Sequence, residues 1–415
     1  MKLTVRKKYL FYILAFTSAI ISASMSGLDA IISAVFIKDP WAFGLSAFLV
    51  GIVVTLGLLL FFSLPAKGKT LGARVVDPSF RGIRLVRRSE IPGHIGAGFG
   101  NAVMTLSYFL LISLLNDPSA VLPFAQITIL YLVVIESVTE KNVPTLVEIE
   151  SSLIVTFGAI LASLSLDAGL NLEALLVVFL LYNPAWVLFS IYQRRLKLLR
   201  VDDHPNDSMN IRFWNLVFSG IFSLIMIVAI DMLLGSSHVV DGLIASVEHF
   251  GVLAVTMGVT FFAMAFYIRA LGIGKASVTQ AVRSSSVLFS IPVSMLIAYF
   301  GFIDPLTSDP TGVLIKTIGI VLVMLGIISF ALHMVKAYVF VRVRTGFDIE
   351  QTMKKIWNIR GVSRVAAVAG RYDFIVEIRT RTLVKGYEKI VRRLEDIPGI
   401  EKCRWESVLK EWEEI

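Results

Sequence analysis

Apolar residues run through most of this chain in long unbroken blocks instead of alternating with polar ones. Ten blocks stand out, at about 9–37, 41–64, 91–115, 120–138, 149–166, 172–192, 212–234, 249–271, 276–301 and 311–335. Each meets or approaches the ~20 residues that a helix needs to cross a hydrocarbon core of ~30 Å. After residue 335 the pattern changes period. Val339, Val341 and Val343 alternate with Tyr338, Phe340, Arg342 and Arg344, as in a half-buried strand. No Gly/Ser/Pro linker intervenes, so the last apolar helix is expected to run almost directly into a soluble domain.

The tail reads as strand 338–344, helix 348–358, strand 363–369, strand 372–379, helix 382–396 and strand 401–409. Its first helix gathers Ile349, Met353, Ile356 and Trp357 on one side, and its second gathers Leu383, Tyr387, Ile390, Val391 and Leu394. This βαββαβ order predicts a ferredoxin-like sandwich with both helices on one sheet face, the other face being free to pair. The fold class is therefore a multi-pass α-helical membrane domain of ten spans, residues 1–335, followed by a C-terminal α+β ferredoxin-like domain, residues 336–415.

Composition agrees with a membrane protein. Of 415 residues, 56% are hydrophobic and 17% charged, with a mean hydropathy of +0.77; soluble domains carry roughly 25% charged residues. The net charge of +8 does not point to nucleic acid, because the basic residues alternate between loops. One set of loops, from the N-terminus through 67–88, Lys141, 194–212 and Lys275, holds 18 Lys and Arg, and the opposite set holds only Lys38. That bias places both termini in the cytoplasm of a cell-membrane protein. The apolar run after the basic N-terminus is too long for a signal-peptide core. A single cysteine, Cys403, excludes an internal disulfide and a Cys-rich metal site.

The apolar half repeats itself. Leu153-Ile154-Val155-Thr156-Phe157-Gly158 matches Leu314-Ile315-Lys316-Thr317-Ile318-Gly319, and Ser119-Ala120-Val121 matches Ala276-Ser277-Val278. The halves, about 9–166 and 172–335, contain five spans each, so the second must cross in the opposite direction. That is the inverted-repeat plan of secondary transporters, whose sites lie where the repeats meet. With Ile135-Glu136-Ser137-Val138-Thr139-Glu140-Lys141 ahead of Gly158, and Pro184-Ala185-Trp186 ahead of Arg194-Arg195, the region 9–335 resembles the EamA-like branch of the drug/metabolite transporter superfamily. The resemblance implies ten spans and metabolite transport, but no particular substrate. The acidic loop 304–310 departs from the glutamate loop that the family pattern expects there.

Polar residues deep in apolar runs are candidate functional groups. Arg283 lies ~10 Å into its span by helical rise, on one face with Gln280 and Ser284 at i, i−3 and i+1. At the repeat offset its mate is Gln126. A guanidinium there either holds a carboxylate or phosphate through paired hydrogen bonds or reaches back to the cytoplasmic interface. Asn183-Pro184 falls near the middle of its span, where proline frees a carbonyl that a solute could use, and Asn101 is about as deep. Together with Trp186 these are the candidate transport residues. Lys316 and Arg269 read as interfacial, as do Glu136, Glu148 and Glu150. Asp29 and Asp231 lie near outer ends and are candidates for proton coupling. The stretch 17–27, rich in Ser and small residues, reads as close helix packing, as do Gly96 and Gly100. Five histidines lack metal-ligand spacing, and Gly272-Ile273-Gly274-Lys275-Ala276 lacks the first glycine and final hydroxyl of a phosphate loop. No enzyme, cofactor or metal is expected.

In the tail, Ile359-Arg360-Gly361-Val362, Gly370-Arg371-Tyr372-Asp373 and Ile397-Pro398-Gly399-Ile400 resemble the ligand-binding module of Lrp/AsnC regulators. The resemblance implies homo-oligomers and binding of amino acids or related effectors near Gly370, Arg371, Tyr372 and Asp373; a plain tight turn is the competing reading. No helix-turn-helix precedes the module, and its 17 basic and 12 acidic residues form no basic stripe, so DNA is not an expected partner. The expectation is a secondary transporter of a small metabolite, amino-acid-like or anionic, embedded in the lipid bilayer and regulated by its tail. The alternative is a membrane-anchored sensor or scaffold that transports nothing. A membrane-tethered transcription regulator would need a DNA-binding module that the sequence lacks.

Overall fold

The computed structural model describes residues 7–115, 124–140, 146–163, 172–201, 203–302, 310–332, 335–359, 361–380 and 390–407. Outside them lie Lys141, the acidic loop 304–309, the first half of the second tail helix and the end of the last tail strand, 408–409; the side chains of Lys316 and Glu148 are likewise not described. The chain divides into two compact units, one of residues 1–133 and 150–331 and one of residues 134–149 and 332–415.

The first unit is helical: α1 (Lys7–Ile31, prolonged by a π turn, Ile32–Phe36), α2 (Pro40–Phe62), α3 (Leu71–Val75), α4 (Ile91–Leu115), α5 (Thr128–Glu140, of which the first residues belong here), α6 (Leu146–Ser163), α7 (Leu172–Leu176), α8 (Asn183–Leu198), α9 (Ser208–Leu234), α10 (His238–Glu248), α11 (Phe250–Leu271), α12 (Ala276–Arg283), α13 (Ser286–Tyr299) and α14 (Pro310–Leu332). Among the described residues, six helical segments are long and apolar enough to cross a membrane: Tyr9–Phe36, Pro40–Phe62, Ile91–Leu114, Leu172–Leu198, Ser208–Leu234 and Phe250–Leu271. Caps set their ends. The Asp39 carboxylate accepts from the Trp41 and Ala42 amides with Pro40 in the first turn of α2; Asp207 accepts from the Asn210 amide at 2.8 Å to start α9, which stops at the left-handed Gly235. The outer segment 235–248, expected as a loop, contains α10. Asp231 anchors it by accepting from the His238 and Val239 amides at 3.0 and 2.9 Å, so this carboxylate caps a neighbouring helix.

Small residues bring helices together where the sequence places them. A Cβ on Gly96 would lie 2.6 Å from the Tyr192 ring, and one on Gly100 would lie 2.8 Å from Ala185 O and Phe189 N, so α4 touches the backbone of α8. A Cβ on Gly158 would meet Gly319 O at 2.7 Å, and Ser151 Oγ lies 3.0 Å from Ser329 Oγ. Residue numbers rise along α6 as they fall along α14, so these two helices cross antiparallel.

The basic segments 63–90 and 196–212 are ordered by a buried polar network. Lys197 Nζ donates to Asp77 Oδ2 and to Asn206 O, both at 2.6 Å. Arg84 grips Glu90 with both terminal nitrogens at 2.6 and 2.7 Å, and Asn206 Nδ2 donates to Glu90 Oε1 at 2.7 Å. Arg269, expected to reach for the interface, instead donates to Val76 O at 2.7 Å. The connection before α4 is thereby clamped to the ends of α8, α9 and α11.

The first unit also holds two short antiparallel hairpins, β1 (Pro65–Ala66) with β2 (Lys69–Thr70) and β3 (Arg200–Val201) with β4 (His204–Pro205). In the second unit, strands β5 (Val335–Val343), β6 (Val362–Ala367), β7 (Phe374–Thr380) and β8 (Ile400–Ser407) form one antiparallel sheet in the order β6-β7-β5-β8. Helix α15 (Ile349–Trp357) is capped by Asp348, and residues 390–395 are helical. Val339, Val341, Phe374, Val376 and Ile378 from alternate positions pack with Ile356, Ile390 and Leu394 into the core. Strand β5 starts three residues earlier than expected, and β7 starts two later, because residues 371–373 form the turn.

Two tests follow from these contacts. Gly399 sits at φ +101° with Phe347 ring atoms 2.5 Å from where a Cβ would stand, so Gly399→Ala should destabilise the tail by about 1–2 kcal/mol or more. Amide exchange in β5 and β8 of the full-length protein should speed up accordingly. At Asp77, burial alone would raise the carboxyl pKa, but Lys197 and the Ser208 and Ser79 amides pull it down to about 2. The stabilisation is complete above the ordinary carboxyl value of 3.8 and fades as pH falls toward 2. Asp77→Asn should therefore lower the melting temperature at pH 6, by the equivalent of on the order of 2 kcal/mol, and by less near pH 3. An equal loss at both pH values would refute the ion pair's role.

Candidate functional site

Three irregularities in the helices converge on one place. A 3-10 turn, Ala125–Ile127, precedes α5; the π turn Val177–Tyr182 joins α7 to α8; and Ser284 and Ser285 break the last helix pair between α12 and α13. Such breaks expose backbone groups, and inside an apolar bundle each must be satisfied locally. Pro184 cannot donate to the carbonyl of Phe179, and the Tyr131 hydroxyl donates to that oxygen instead, at 3.1 Å. The Asn183 side chain completes the repair. Its Nδ2 donates to Val178 O at 2.9 Å and to Phe124 O at 3.2 Å, and its Oδ1 accepts from the Thr128 hydroxyl.

These breaks surround a cavity of about 90 Å³, lined among others by Asn101, Gln126, Trp186, Gln280 and Arg283. Five of the seven candidate transport residues thus share one wall. Asn183 and Ser284 do not line it, but the Ser284 hydroxyl touches both Gln126 Oε1 and Gln280 O. The Pro184-freed carbonyl, expected to be available to a solute, is taken by Tyr131. Asn101 donates to Ser219 Oγ at 2.8 Å.

Arg283 does not reach back to an interface. It is 4% exposed, its guanidinium carbon lies 4.9 Å from both the Trp186 and Tyr267 ring centres, and it donates to Ser22 Oγ at 2.9 Å. Its Nε has no partner. Cation–π contacts offset part of the cost of burying this charge, but no carboxylate among the described residues completes the job. Two further ionisable groups line the same space. Arg212 is equally buried, with Nε unpartnered, and Asp29 lies beside the Tyr108 hydroxyl without completing a hydrogen bond of ordinary geometry. Arg212, counted above with the cytoplasmic loops, is therefore a cavity residue. The signal was present: Asp207 as a cap starts the helix at Ser208 and puts Arg212 more than one turn inside.

In the tail, the candidate effector turn is also a structural tie. Asp373 Oδ2 accepts from the Val343 amide at 2.7 Å and the Asp373 amide donates to Val341 O at 3.0 Å, so the turn is stitched to the central strand. Gly370 and Arg371 are exposed, while Tyr372 is half-buried with its ring 5.5 Å from that of Phe340.

The tail, residues 336–414, matches the family model of the Lrp/AsnC ligand binding domain. No curated protein matches the chain. A crystal structure of a protein aligns with 77% of this chain and 97% of its own length, at 14% identity and a TM-score of 0.47.

Asn183→Ala should deprive Phe124 O and the Thr128 hydroxyl of their side-chain partner, at ~1–3 kcal/mol per orphaned buried group, while Val178 O keeps the backbone amide of residue 183. The purified protein should lose several degrees of melting temperature; a neutral substitution would show that water replaces the amide.

Proposed function

We propose that this protein is a secondary transporter of a small metabolite in the cell membrane, with ten spans in two inverted five-helix repeats, both termini in the cytoplasm, and a tail that binds an effector and regulates transport. The observation that carries this reading is the cavity with Arg283 on its wall, buried and without a counter-charge among the described residues. A purely structural arginine in an apolar bundle would be destabilising there, whereas a solute anion would neutralise it.

Three features support the repeat. Gly158 and Gly319, mates in sequence, meet face to face where α6 crosses α14 antiparallel. Gln126 and Arg283, also mates, lie on one cavity wall beside backbone breaks. The breaks resemble the discontinuous helices on which transporters build their sites. For the tail, regulation requires that an effector bind its two transport-cycle arrangements with different affinity, and assembly into homo-oligomers through the free sheet face would supply two such arrangements. A membrane-anchored sensor without transport is the second reading; the ligand-binding tail favours it by itself.

Uptake of a panel of amino acids and small organic anions into proteoliposomes discriminates the two. Full-length protein and protein ending after residue 335 should both transport, and only the full-length form should respond to effectors of the tail. Equal responses would eliminate regulation by the tail. No uptake by either form, with ligand binding retained by the full-length protein and insensitive to cavity substitutions, would favour the sensor.

A further inference from the structure

The charges on the cavity wall do not balance. Arg283 and Arg212 contribute two positive charges and Asp29 one negative; the three are 4%, 4% and 3% exposed. Among the described residues neither arginine has a carboxylate within ion-pair distance, and Arg212 makes no side-chain hydrogen bond at all. The charges are also separated. Ser22, which touches Arg283, and Asp29 lie on one face of α1 at i and i+7, two turns or ~10 Å apart along the axis. One end of that face is therefore basic and the other acidic. On the lining of the same cavity, Gln280 Oε1 and Trp186 Nε1 are buried without partners among the described residues.

We propose that the cavity binds a small organic molecule with two acidic groups and one ammonium group, as in an acidic α-amino acid, the acidic groups meeting Arg283 and Arg212 and the ammonium facing Asp29. This rests on the solute-transport reading and names its substrate class. A ligand with net charge −1 neutralises the wall; a neutral amino acid leaves one guanidinium without an anion, and a plain dicarboxylate sets an anion against Asp29. Burying such a charge unpaired costs several kcal/mol. The unpartnered amide oxygen of Gln280 suits an ammonium donor, and the Trp186 N–H suits an acidic oxygen. Size agrees: about 90 Å³ accommodates roughly six to nine water-sized groups, the scale of a five-carbon amino acid.

Equilibrium binding of radiolabelled glutamate to the full-length protein in nanodiscs, competed with glutarate and norvaline, tests this. Glutarate lacks the ammonium and norvaline lacks the second acid. Each should compete at least about 10-fold less well than unlabelled glutamate, a difference of ~1.4 kcal/mol. Asp29→Asn should shrink the glutamate–glutarate gap, and Arg212→Gln the glutamate–norvaline gap, in each case leaving the other gap in place. Binding at the tail would be unaffected by either substitution. If glutarate or norvaline matches glutamate on the unaltered protein, or both gaps survive both substitutions, the proposal is overturned, and uptake of another solute would leave the transporter reading standing. If no ligand in a wider panel responds to substitution of Arg212, Arg283 or Asp29, the transporter reading falls with it. Should Arg212→Gln fail to fold, Arg212→Lys and the competition series on the unaltered protein still decide the matter.

Discussion

A guanidinium held between two aromatic rings, with one serine hydroxyl as its direct hydrogen-bond partner, constrains everything around it in the helical unit. Arg283 sits at the end of α12, where unsatisfied carbonyls favour a cation, and the chain breaks immediately afterwards at Ser284 and Ser285. The break keeps the next helix from carrying its apolar side chains past the arginine. Trp186 comes to the ring position because the π turn before Asn183 shifts the face that α8 presents, and Asn183 repairs the backbone that this turn leaves exposed. Gly96 and Gly100 let α4 press against α8, so that Asn101 reaches the same cavity. The polar wall is therefore a product of irregular backbone held in place by small-residue contacts.

Much of this was legible in the sequence, for identifiable reasons. Long apolar runs and their Asp caps mark helices independently of tertiary context, and period-two alternation marked the tail strands to within a few residues. Counting along the apolar runs singled out Gln126, Gln280 and Arg283, and all three line one cavity. What escaped was set by packing. Arg212 was assigned to a loop because counting charges near span ends ignores how far a capped helix extends. Asp29 was read by depth alone as a residue near the end of its span, and a count along one helix does not show that it is buried on the lining of a cavity.

The tail shows the opposite balance. Its sheet order, core and turn positions follow from alternation and from glycines at 361 and 399 with positive φ, and almost nothing in it depends on distant packing. The turn around Asp373, the proposed effector turn, has a structural role of its own. Its carboxylate fixes the end of β5 by accepting from the Val343 amide, which leaves Gly370 and Arg371 presented on a rigid base. A turn so anchored is pre-organised, and pre-organisation is what a small-ligand site requires.

Charge pairing separates the two kinds of basic residue in the helical unit. Arg84 has Glu90, Lys197 has Asp77, and Arg269 has the Val76 carbonyl with Asp77 near enough to influence it. These residues fix the connections between helices, and their partners come with them in the sequence or across one contact. Arg212 and Arg283 have no such companion among the described residues, although they are the more deeply buried. Burial without a counter-ion is costly for a positive charge, and the two aromatic rings and the Ser22 hydroxyl around Arg283 offset part of that cost. The contrast within one molecule separates charges paired inside the fold from the two whose counter-charge the proposed solute would supply.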